Sequence, residues 1–306
     1  MIGYLFAIGA AAIWSTVALS ATRIVRYFGS YNYNLLRLLG IIVFFFPYVY
    51  FNWKPIYFNE SIFSAIVLSS IIGIIIGDTF LFVCLKRLGP RRQALLFSMQ
   101  IPFTIILAEI FLHTLPSFIE LIGCGLIFLG IIIAIQFNRT ITDDDLENIQ
   151  GNKYIGLFAG VGLALCQSIG IILMKPALVS TDPIVVSYLR VIVAAIIMFG
   201  SLFFIKNNQL WERMRDIKKT LLSIFLGFMG MGVGMTMLIY ALKYGNPGVI
   251  STLSSTMPIM IIPILWIVTK NYAGHLAVIG ASLTCFGAGI ISVSYTHLTL
   301  PTICSV

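Results

Sequence analysis

Long apolar stretches alternate with short polar ones along the whole chain. Runs bounded by polar residues, proline or glycine cover residues 2–22, 31–51, 62–85, 92–112, 117–137, 153–174, 184–205, 219–243, 247–269 and 273–293. Each approaches or exceeds the roughly 20 mainly apolar residues that a helix needs to cross a bilayer. The pattern predicts an all-α polytopic membrane protein with ten transmembrane helices. The longest polar connection, NRTITDDDLENIQGNK from Asn138 to Lys153, divides the chain almost equally.

The two halves repeat one another. At an offset of 153 residues, Gly3, Gly9, Ala11, Ser15, Leu36 and Arg37 fall on Gly156, Gly162, Ala164, Ser168, Leu189 and Arg190. Beyond the second span the offset becomes 157, and Gly73, Gly77, Thr79, Leu85, Lys86 and Pro90 fall on Gly230, Gly234, Thr236, Leu242, Lys243 and Pro247. Further on, Ser98, Gly123 and Gly130 fall on Ser255, Gly280 and Gly287. Five spans per half is an odd number, so the second half enters the membrane from the opposite side. The expected organisation is two five-helix inverted-topology repeats, residues 1–138 and 153–293, joined by a polar linker at 139–152. Repeats of this kind place a site near the midplane, where they meet. Gly73/Gly77 and Gly230/Gly234 form GxxxG pairs, and Gly123/Gly130 and Gly280/Gly287 lie seven apart on one face. Such residues let helices pack closely or slide past one another.

Composition supports lipid as the main solvent. Hydrophobic residues make up 59% of the chain and charged residues 10%, with a mean hydropathy of +1.01. A soluble domain carries about 25% charged residues. The formal charge of +8 sits in short loops, which argues against a nucleic-acid partner. Odd-numbered loops hold 14 Lys and Arg and even-numbered loops 3, so the positive-inside rule puts the odd loops in the cytoplasm and both termini outside. The five cysteines share no C-x-x-C spacing and read as packing residues, with no metal site. The closing stretch SYTHLTLPTICSV, Ser294 to Val306, breaks from everything before it and is expected to be a non-native tail.

Particular segments resemble the EamA branch of the drug/metabolite transporter superfamily. AAIWSTVAL resembles the Trp segment of its first helix. SMQIPFTIILAEIFLHTLPSFIELIGCGLIFLGIII resembles the Pro of its fourth helix, the Glu closing that helix and the Gly-rich fifth helix. SSTMPIMIIPILWIVTKNYAGHLAVIGASLTCFGAGI repeats the pattern, with Trp266 where the family often has a second Glu. The resemblance implies ten helices and transport of small molecules.

Charge at lipid depth is costly, faces protein or a wet cavity, and marks function. Arg37, Asp78, Glu109 and Arg190 qualify. Arg37 and Asp78 lie at similar depth on adjacent antiparallel spans and are expected to pair. In the second half Met235 replaces Asp78, so Arg190 needs another partner or an anionic ligand; a contact with Glu109 is geometrically possible. Each pair is either a structural ion pair or a place where substrate binds or a proton is exchanged. Asp78 and Glu109 are the candidates for proton coupling. At midspan, Trp14 and Ser15 match Gln167 and Ser168, and Gln100 and Tyr240 add polar groups. The expected substrate-binding set is therefore Trp14, Ser15, Arg37, Asp78, Gln100, Gln167, Arg190 and Tyr240.

These residues point to a secondary transporter, expected to be an exporter, of small metabolites, amino acids or amphiphilic drug-like solutes. It would work by alternating access as a monomer or a dimer, in a cell membrane of the bacterial plasma-membrane kind. The alternatives are a non-transporting scaffold or accessory subunit and an intramembrane enzyme. IIIGDT lacks the first Gly of a G-x-G-D motif and no second embedded aspartate accompanies Asp78. The chain also lacks the phosphate-binding G-x-x-x-x-G-K-[ST] loop, so no enzyme and no cofactor are expected.

Overall fold

The computed structural model describes residues 2–52, 60–112, 117–136, 146–180, 182–205, 208–244, 253–270 and 274–303. Among them the chain is all helical, with 92% in helix and no strands. Lipid offers no partner to a backbone N–H or C=O, so a spanning segment must satisfy its own, and a helix does this locally. The first half comprises α1 (Ile2–Phe28), α2 (Ser30–Asn52), α3 (Glu60–Ser69), α4 (Asp78–Leu88), α5 (Pro90–Phe97), α6 (Gln100–Leu112) and α7 (Phe118–Gln136). The second comprises α8 (Lys153–Ser180), α9 (Pro183–Ile205), α10 (Asn208–Met214), α11 (Ile217–Gly227), α12 (Met235–Tyr244), α13 (Met257–Thr269) and α14 (His275–Ile303).

Nine stretches among the described residues are long and apolar enough to cross a membrane, and α13, with 13 residues, is shorter. The expected ninth span, 247–269, begins outside the described residues. The first helix of each half runs longer than its apolar pattern, to Phe28 and Ser180. α14 continues to Ile303, into the segment set aside as non-native.

Two irregularities recur at matched positions. The third pass changes from α3 to α4 through a π-helical segment, Ser70–Gly77, and the eighth changes from α11 to α12 through another, Phe228–Gly234. The fourth pass breaks into a turn at Ser98–Met99, and a turn at Ser255–Thr256 precedes α13. π-helical turns are rare and lie frequently at functional sites. The repeat thus extends to its departures from ideal helix.

Glycine sets how closely the halves approach. α7 lies against α14, where a Cβ on Gly123 would meet the Gly287 carbonyl oxygen at 2.8 Å and one on Gly130 the Gly280 oxygen at 2.5 Å. Across α2 and α11, Gly40 abuts Ile224 and Gly227 abuts Arg37. α1 packs on the second half's third and fourth passes, and α8 packs on the first half's.

The end of the linker is also held. Glu147 is buried and pairs with Arg91 at 3.1 Å and Arg92 at 3.7 Å, and the Arg92 guanidinium donates to the Glu147 carbonyl at 2.8 Å. Arg26 donates to the carbonyls of Leu146 and Asn148, and the Gln150 N–H donates to the Arg87 carbonyl. Gly89 turns beneath this segment with φ +84°, and a Cβ there would sit 2.6 Å from the Leu146 oxygen. The basic cluster that follows Asp78 in sequence is therefore in part a clamp on the chain entering the second half.

Two outcomes follow. Gly130→Val should separate α7 from α14 and cost about 1–3 kcal/mol, lowering the thermal midpoint in detergent. Gly125→Ala, whose added Cβ meets nothing within 4 Å, should not lower it. Glu147→Ala leaves Arg91 buried without its carboxylate and should cost roughly 3–5 kcal/mol in the same assay.

Candidate functional site

A cavity of about 280 Å³ lies between the halves. Trp14 from α1, Arg37 from α2, Asp78 at the start of α4, Gln167 from α8 and Arg190 from α9 all line it. The second half adds Met231 from its π segment and Met257 at the start of α13. Most of the remaining wall is apolar, including Leu81, Phe82, Leu85 and Phe97.

Two symmetry-related hydrogen bonds knit the halves at this level. The Trp14 indole donates to the Gly230 carbonyl at 2.8 Å, and the Gln167 amide donates to the Gly73 carbonyl at 3.2 Å. Each donor comes from the first helix of one half, and each acceptor from the π segment of the other. The GxxxG pairs explain the fit. Gly73 and Gly230 supply the carbonyls, while Gly77 and Gly234 leave room for the arriving side chains. A Cβ on Gly234 would sit 2.5 Å from the Trp14 indole nitrogen, and one on Gly77 would sit 3.5 Å from the Gln167 amide nitrogen.

The matched serines, each the next residue along, face a different neighbour. Ser168 Oγ lies 2.9 Å from the Gln100 carbonyl, at the fourth-pass break, and Ser15 Oγ lies 3.4 Å from the carbonyl of Met257, the position that matches Gln100. Each hydroxyl also lies within hydrogen-bond distance of its own helix, at Ala164 and Ala11. Both serines are fully buried, and they secure the wall rather than face the cavity.

The charged residues form a lopsided set. Arg37 and Asp78 make the expected ion pair. Asn34 accepts from Arg37 Nε at 3.1 Å and donates to Thr79 and to the Ile74 carbonyl, so it holds the guanidinium from behind. The Arg37 guanidinium lies over the Phe82 ring, 4.9 Å from its centre. Asp78 also accepts from Gln167 at 2.8 Å. Gln167 therefore joins the carboxylate to the Gly73 carbonyl, and so the cavity to the π segment. Arg190 donates to the Ser69 carbonyl at 2.9 Å and toward the Met174 sulfur at 3.1 Å. Its guanidinium passes against Gly73, where a Cβ would come within 2.8 Å.

Other expected residues lie elsewhere. Gln100 contributes its backbone carbonyl at the helix break, and its side chain does not line the cavity. Tyr240 is half exposed near Phe6. Glu109 is not among the lining residues, and among the described residues no ion pair joins it to Arg190. Arg190 turns instead toward the backbone end of α3. Asn34 and Gln93 belong to the site and are absent from the sequence-derived set. Asn34 sits three residues before Arg37, on the same helix face, which is the signal that marks it. Gln93 lies inside the basic cluster, and nothing in its neighbourhood distinguishes it.

Comparison with known proteins adds the following. A description of the EamA-like transporter family matches residues 1–136 and, a second time, residues 154–293. No curated protein matches the chain. One solved structure, described only as the crystal structure of a protein, aligns over 97% of this chain and 98% of its own, with a TM-score of 0.60 and 14% identity. At that identity the likeness concerns the fold.

Gln167→Leu removes the donor shared by Asp78 and Gly73. It should cost about 1–3 kcal/mol, read as a lower midpoint in detergent. Gln100→Leu keeps the carbonyl that Ser168 reaches and should leave the midpoint nearly unchanged.

Proposed function

The chain belongs to the EamA-like transporter family, and on that premise we propose that it is a secondary transporter that exports small metabolites, amino acids or amphiphilic solutes. The observation that carries this reading is one cavity, at the depth of both π segments, lined by polar side chains from both halves. In this reading residues 1–138 and 153–293 are the two units that rock, and the cavity faces each side of a bacterial plasma membrane in turn. The close glycine contacts between α7 and α14 suit a surface that pivots without side chains to disengage. Trp14, Arg37, Asp78, Gln167 and Arg190 bind the solute. Ser15 and Gln100 shape the wall, and Tyr240 stands apart from it.

Asp78 is the better placed of the two carboxylates for proton coupling. It lines the cavity and holds both Arg37 and Gln167, so adding a proton would weaken two contacts at once. Glu109 does not line the cavity. The chain acts on a small molecule within a bilayer, as a monomer or a dimer, with no cofactor and no chemical step.

Vesicles reconstituted with the full chain should show saturable counterflow of a labelled solute drawn from a panel of amino acids and aromatic metabolites. Met231→Trp, which fills the cavity, should abolish it. Asp78→Asn should slow it roughly tenfold, the loss expected when one charged hydrogen bond goes. A chain that folds yet passes nothing from the panel would fit the accessory-subunit alternative instead.

A further inference from the structure

Resting on the reading of the cavity as a transport site, we infer that its solute is a small monoanion with an apolar body, and that Arg190 receives the anionic end. It starts from a charged position at which the halves differ. Arg37 and Arg190 occupy equivalent positions, and so do Asp78 and Met235. In the first half the arginine charge meets a carboxylate. In the second half the same position is a thioether. The cavity therefore holds two guanidiniums and one carboxylate, a formal charge of +1.

The groups that Arg190 hydrogen-bonds are neutral, and Asp78, whose charge reaches it, is already paired with Arg37. The described hydrogen-bond partners of Arg190 are one backbone carbonyl and one sulfur, and its Nε is buried with no hydrogen-bond partner among the described residues. Of the five guanidinium N–H groups Ser69 and Met174 take one each, so Nε–H, one Nη1–H and one Nη2–H remain as donors. Paired N–H donors of a guanidinium match a carboxylate, which they bind bidentately. Two guanidiniums sharing one carboxylate in largely apolar surroundings leave one positive charge in excess, which is costly, and an entering monoanion cancels it. A neutral solute leaves the charge in place, and a cation doubles it. A dianion overshoots by one unit. The rest of the wall selects the body: Trp14, Phe82, Phe97 and Leu81 offer aromatic and aliphatic faces. A cavity of about 280 Å³ lies near the small end of ligand sites.

The test uses the purified full chain in detergent and four probes with one aromatic body: 3-phenylpropanoate, 3-phenylpropanamide, 3-phenylpropylammonium and 2-phenylethyl phosphate. Thermal midpoints are measured across probe concentrations for the native chain, Arg190→Gln, Arg190→Lys and the exposed-charge control Lys218→Gln. The propanoate should raise the midpoint of the native chain and of Lys218→Gln. In Arg190→Gln its apparent affinity should fall roughly ten- to a hundredfold, as expected for losing hydrogen bonds to a charged group, and Arg190→Lys should recover part of the loss. If Arg190→Gln does not fold, Gly73→Ala takes its place, since the added methyl crowds the guanidinium. An equal or larger shift from the amide, the ammonium or the phosphate overturns the inference, as does a propanoate shift that survives Arg190→Gln or the absence of any shift. Propanoate binding without flux in proteoliposomes would overturn the transport reading and leave this one standing. Flux of all four probes at one rate would do the reverse.

Discussion

Among the hydrogen bonds that cross between the halves at the depth of the cavity, two are related by the repeat, Trp14 to Gly230 and Gln167 to Gly73, and the surrounding helices are shaped to admit them. Lipid offers a backbone carbonyl no partner, so any acceptor with spare capacity in a π segment must find its second donor in protein. Here the Gly73 and Gly230 carbonyls are met by Gln167 and Trp14 from the opposite half. Each such bond is worth only about 0.6 kcal/mol on average between membrane helices. Their weight lies in joining the halves: the Gly73 carbonyl also accepts the Asp78 N–H of its own span, and Gln167 adds a second donor from the opposite half. Gly234 and Gly77 admit these donors, since a Cβ at the first would strike the Trp14 indole and one at the second would crowd Cys166 beside Gln167.

The paired geometry makes the divergence between the halves informative. One half offers an indole where the other offers an amide, and both reach the same kind of carbonyl. An indole N–H can donate once, whereas the amide has two hydrogens and uses the second on Asp78. The carboxylate exists in the first half only, so the amide lies where that carboxylate can use it. Asn34 in the first half is likewise matched by Ser187 in the second, which is too short to brace a guanidinium in the same way. The halves keep a common scaffold and divide the chemistry between them.

At the odd-loop end, structure adds a packing role to the electrostatic one. The arginines after Asp78 read as loop charges that set orientation. Arg91 and Glu147 are nevertheless buried, and Arg26, Arg87 and Arg92 grip the linker backbone beside them. The linker is acidic and polar in composition, but its last residues are a fitted part of the first half.

Composition and period alone determined the solvent, the helical class, the duplication and the pairing of Arg37 with Asp78. These depend on local quantities: mean hydropathy, span length, register between halves and depth at a fixed rise per residue. The same quantities marked Trp14 and Gln167 as equivalent, although not what they hold. Only the tertiary structure decided that Glu109 and Tyr240 stand away from the cavity, that Gln100 acts through its backbone, and that Asn34 and Gln93 belong to the site. The reason is rotational. Depth follows from sequence position, but the direction a residue faces depends on how each helix is turned about its axis. Two π segments and two helix breaks shift that angle within a span. Hydropathy does not record them, because a change in backbone hydrogen-bond register carries no side-chain signature.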